Sequence, residues 1–125
     1  MSNKKLALFL FRFVVGVNFL MHGAVRIFGD YSGFASGMVS NFSETFLHPL
    51  SVLALGYVIP AAELIIGIVL ITGYKLRYGL IAGFLLMAVL IFGMSLLQNW
   101  SVVGSQMIYA ISLFLLLYFE EDNSV

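Results

Sequence analysis

Leu50–Thr72 reads LSVLALGYVIPAAELIIGIVLIT, with Glu63 as its single charge. At 1.5 Å per residue such a run crosses the roughly 30 Å hydrocarbon core of a bilayer as one α-helix. Three more runs of the same kind lie around it, at about residues 6–28, 78–97 and 102–119. The run at 78–97 has no charge, the run at 102–119 holds Ser105, Gln106 and Ser112, and the first is interrupted by Arg12, Asn18, His22 and Arg26. The whole chain of 125 residues is 62% hydrophobic and 10% charged, against about 25% charged in soluble domains. A chain this short has too little interior to hide that much apolar surface from water. The expected fold is all-α, an integral membrane four-helix bundle forming a single domain over 1–125.

The same composition excludes several functions. The formal net charge is zero, so nothing points to nucleic acid. The absence of cysteine removes disulfide exchange, thiolate catalysis and all-cysteine iron–sulfur ligation. The first run is read as a retained helix and not a cleaved signal, because Arg12 breaks its apolar core and no Ala-x-Ala site follows. Lys4, Lys5 and Arg12 at one end of it, and Lys75 and Arg77 in the turn after the second run, place both termini in the cytoplasm of a multi-pass cell-membrane protein. The acidic tail Glu120-Glu121-Asp122 weighs little in that rule. Residues 29–49 then form an outward loop. Within it Ala35, Met38, Val39, Phe42 and Phe46 recur at helical spacing opposite Ser36, Ser40, Ser43 and Glu44, predicting a short interfacial amphipathic helix.

Ionisable groups are costly in a membrane and face the interior of a bundle. On a helical projection Arg12, Asn18, His22 and Arg26 share about one third of the first helix. Gly56, Pro60, Glu63 and Gly67 form one stripe on the second, and Ser105, Gln106, Tyr109 and Ser112 share an arc on the fourth. The third offers the close-packing pair Gly79 and Gly83. If the outer helix ends are level, Arg12 and Glu63 lie at similar depth, which predicts a buried ion pair between them. Asn18, His22, Arg26, Gln106 and Tyr109 then line a polar pocket opening outward. Each has a plainer reading as interhelical glue, as a snorkelling side chain or, for His22, as a satisfied interior histidine. Haem is disfavoured, since the only histidines, His22 and His48, sit at different depths. The six methionines follow no ligand spacing, and no metal site is expected.

The run Arg12-x-x-x-Gly16, with Phe19-Leu20-Met21-His22-Gly23-Ala24 and Arg26-Ile27-Phe28-Gly29, resembles the opening of the DoxX-like family of membrane proteins. So does Pro60-Ala61-Ala62-Glu63-Leu64-Ile65-Ile66-Gly67, followed by Leu70-Ile71-Thr72-Gly73 and Arg77. The resemblance implies a four-helix membrane bundle with an extra segment between helices one and two. It draws attention to Arg12, His22, Gly23 and Glu63. The family takes its name from a small subunit of an archaeal thiosulfate:quinone oxidoreductase.

The leading expectation is therefore a membrane subunit, or small-ligand-binding bundle, of a quinone-linked redox system. It has no redox centre of its own and works with a membrane partner or a second copy. In it a quinone carbonyl would accept from His22 or Gln106. Two other readings stay open: a non-catalytic scaffold that binds a partner, and a proton or solute carrier using Glu63.

Overall fold

A computed structural model describes residues 2–120. Five α-helices account for nearly all of them: α1 (Asn3–Phe28), α2 (Tyr31–Asn41), α3 (Pro49–Thr72), α4 (Leu76–Leu96) and α5 (Trp100–Phe119). Four of the five, all but α2, are long and apolar enough to cross a membrane. Their ends agree with the hydropathy reading to within three residues, and the caps explain where they fall. Ser2 accepts from the Lys5 amide at 3.2 Å and starts α1 early, while Asp30, His48 and Asn99 cap α2, α3 and α5. Gly73 ends α3 in the left-handed conformation, with φ of 78°, where a side chain would be strained. Glu121 and Asp122 lie outside the described residues.

Hydrocarbon solvates leucine as well as another leucine does, so helices associate through close packing and polar contacts. The main contact is α1 on α3. Gly16 faces Leu70 and Ile71, Gly67 faces the Leu20 backbone, and Gly23 faces Pro60 and Leu64. A β-carbon on Gly67 would stand 2.4 Å from the Leu20 nitrogen, so the two backbones run in direct contact. From α3 the chain returns along α4 and then α5, with Gly79 against Val69 and Gly83 against Leu113. The core between them holds Phe19, Ile66, Leu70, Leu80, Leu113 and Leu116.

The glycine contacts also fix the height of α1. Gly16 beside Ile71 and Gly23 beside Pro60 put Phe28 level with about Ile59. The first ten residues of α3, Pro49–Val58, therefore continue roughly 15 Å past the end of α1. That space is filled by α2. Its apolar face is turned onto the bundle: Ala35 is buried against Gly56, and Phe42 reaches Gly93 of α4. Ser36, Ser40, Ser43 and Glu44 are exposed, as the periodicity predicts, and Phe46 lies beyond the helix with its ring exposed. Pro60 has no N–H for the Gly56 carbonyl, although α3 continues through it as an unbroken helix. One residue on, the Tyr31 hydroxyl of α2 donates to the carbonyl of Tyr57, pinning α2 to α3.

Candidate functional site

The offset of α1 leaves a cavity of about 350 Å³ in the half of the bundle that contains α2. Asn18, Phe19, His22 and Arg26 line it from α1, and Phe34, Met38 and Asn41 from α2, with Phe42 just beyond. Ile59 and Glu63 of α3 and Met87, Leu90 and Met94 of α4 form the far wall. Val102, Ser105, Gln106 and Tyr109 close it from α5. The five residues read from the sequence as a pocket, Asn18, His22, Arg26, Gln106 and Tyr109, thus border a single space. α1 packs far less closely on α5 than on α3.

The predicted Arg12–Glu63 pair does not form. Glu63, 4% exposed, accepts from Arg26, whose Nη1 lies 2.9 Å from its Oε1. The reason is the height of α1: with its end at mid-bundle, Arg26 comes down to Glu63 and Arg12 drops below the end of α3. Arg12 sits against Gly73, close to the carbonyl end of the α3 dipole, with Glu120 3.9 Å away. The Arg26 guanidinium lies between the Glu63 carboxylate and the ring of Phe34, 4.3 Å from the centroid. Such a stack adds to the ion pair when both are withdrawn from water. Glu63 is therefore a wall residue of the cavity.

His22 Nδ1 lies 2.8 Å from the Asn18 carbonyl. A carbonyl only accepts, so in the neutral ring Nδ1 carries the proton and Nε2 is an acceptor. The neutral ring thus offers Nε2 no proton for the quinone carbonyl expected above. Gln106 is 9% exposed, and its Oε1 is buried with no hydrogen-bond partner among the described residues. Tyr109 packs its ring against Phe19, with centroids 6.4 Å apart. His48 serves as the cap of α3, accepting from the Leu50 amide at 3.1 Å, and does not border the cavity.

A family model described as DoxX matches residues 7–96, from the second turn of α1 to the end of α4. The chain belongs to the DoxX family. No match was found among curated proteins or among solved structures. The DoxX match spans every cavity residue on α1 to α4, Arg26 and Glu63 included, while Gln106 and Tyr109 lie beyond it. Four residues that sequence reading did not assign to the site, Phe34, Met38, Asn41 and Phe42, come from α2 and its cap. Met38 and Phe42 carried a signal, since both fall on the apolar face of that helix. Asn41 carried none.

Proposed function

We propose that this DoxX-family chain is a membrane subunit that binds a small amphipathic ligand of the quinone type. Its redox partner, a separate protein, supplies the electron-carrying groups. The observation that carries the reading is the cavity: mostly apolar walls with a few converging polar groups, one of them the Gln106 amide, whose Oε1 has no partner among the described residues. Its volume falls within the roughly 300–1,000 Å³ of small-molecule sites. Phe, Leu, Ile and Met side chains suit a ring and tail, while Arg26, Tyr109 and Gln106 offer donors to ring oxygens. The DoxX family takes its name from a subunit of a thiosulfate:quinone oxidoreductase, and quinone is the ligand class which that name suggests.

Binding is the direct test. An alkyl-substituted benzoquinone titrated into the purified protein should bind one per cavity. Tyr109→Phe, which removes only a hydroxyl, should weaken it roughly fivefold or more. Ser95→Ala, away from the cavity, should leave it unchanged. Absence of saturable binding of both the benzoquinone and its hydroquinone to the parent protein would reject the reading.

The proposed orientation puts both termini in the cytoplasm of a cell-membrane protein and α2 outside. With no native cysteine in the chain, single cysteines report it cleanly. A cysteine at Ser40 should react with a membrane-impermeant thiol reagent in intact cells, and one at Ser2 should be shielded. The opposite pattern would turn the protein over.

A further inference from the structure

The hydrogen-bonding inventory of the cavity is unbalanced. Gln106 Oε1 is buried and accepts nothing among the described residues, and turning the amide end for end brings that carbonyl to the cavity side, where it still needs a donor. His22 Nε2 is an acceptor in the neutral ring, because Nδ1–H is engaged by the Asn18 carbonyl. Glu63 receives one hydrogen bond among the described residues, from Arg26, whereas a carboxylate has about four lone-pair sites. Against these stand the spare N–H groups of Arg26 and the hydroxyl of Tyr109. The wall needs donors as well as acceptors from whatever fills it. Arg26 and Glu63 also cancel in charge, so a charged ligand would lose water and gain no counter-charge.

From this the geometry points to a neutral, hydroxyl-bearing ring, a quinol or phenol, as the preferred ligand, with its O–H donated to the Gln106 carbonyl once the amide turns that oxygen into the cavity. This rests on the cavity being the ligand site, as proposed above. A quinone presents two carbonyl acceptors and no donor. It would satisfy Arg26 or Tyr109 but leave the Gln106 carbonyl buried and unpaired. A quinol oxygen donates and accepts at once. The reduced ring should therefore bind roughly fivefold to a hundredfold more tightly than the oxidised one, the range for a single unsatisfied buried acceptor.

The test is calorimetric titration of the full chain in lipid nanodiscs, without oxygen, using tetramethylhydroquinone and tetramethylbenzoquinone. Protein-free nanodiscs correct for partitioning. A para-alkylphenol and its methyl ether repeat the comparison without redox chemistry. The expected result is tighter binding of both hydroxyl forms, with the preference abolished in Gln106→Leu. Equal binding of hydroquinone and quinone to the parent protein would overturn the inference and leave the ligand site standing. Binding of neither would overturn the site itself. A preference that persists in Gln106→Leu would overturn the role given to Gln106, and the parent comparison needs no variant to fold.

Discussion

Arg26→Leu should destabilise the protein by about 3–5 kcal/mol, the range for breaking a buried ion pair by removing one partner. The effect should be asymmetric. Removing Arg26 strands a carboxylate whose side chain is 6% exposed, whereas removing Glu63 strands a guanidinium that is 33% exposed and stacked on Phe34. Glu63→Leu should therefore cost less. Replacing both should cost less than the sum of the single changes, because neither charge is left behind. Arg12→Leu combined with Glu63→Leu should instead be additive, since Arg12 lies at the other end of α3. Unfolding in mixed micelles compares the parent protein with Arg12→Leu, Arg26→Leu, Glu63→Leu and the two double variants. Coupling of Glu63 to Arg12 in place of Arg26 would show that α1 sits at a different height from the one described.

The second large effect concerns the α1–α3 contact. Gly67→Ala puts a methyl 2.4 Å from the Leu20 nitrogen, and Gly23→Ala puts one 2.4 Å from the Pro60 carbonyl oxygen. Both obstacles are backbone, so the helices must separate. Overpacking of a tight contact costs about 1–3 kcal/mol and occasionally more. Gly104→Ala is the matched control, because nothing lies within 4 Å of its added carbon. It should be neutral or stabilising by up to about 1 kcal/mol, through helix propensity alone. If Gly67→Ala unfolds at the same point as the parent protein, the two backbones do not touch.

Hydropathy made the four long helices legible, because length and apolarity are properties of each segment alone. Helical periodicity also gave the inward faces of α1 and α5, and Asn18, His22, Gln106 and Tyr109 do border one space. Periodicity reports the angle around a helix axis and says nothing about height along it. The Arg12–Glu63 expectation failed on that point, since it set the outer ends of α1 and α3 level. The correcting signal was present in Gly16 and Gly23, two turns apart on α1, which face Leu70 and Ile71 on one side of Gly67 and Pro60 and Leu64 on the other. Their pairing fixes the register by close approach, and with it the partner of Glu63. The contribution of α2 was harder to read. Its apolar face predicted a helix but not the surface that the face would cover.

The distance between Arg26 and Glu63 along the chain, 37 residues, has a consequence in time. Ribosomes add about 5–20 residues per second, so the carboxylate is made roughly two to seven seconds after the guanidinium. For that interval α1 is an orphan, with an arginine that a bilayer tolerates only near its surface. Its short reach past mid-bundle means that α1 can settle deeply only once α3 is beside it. A nascent chain arrested before Glu63 emerges would hold α1 in a shallower position than the finished protein does.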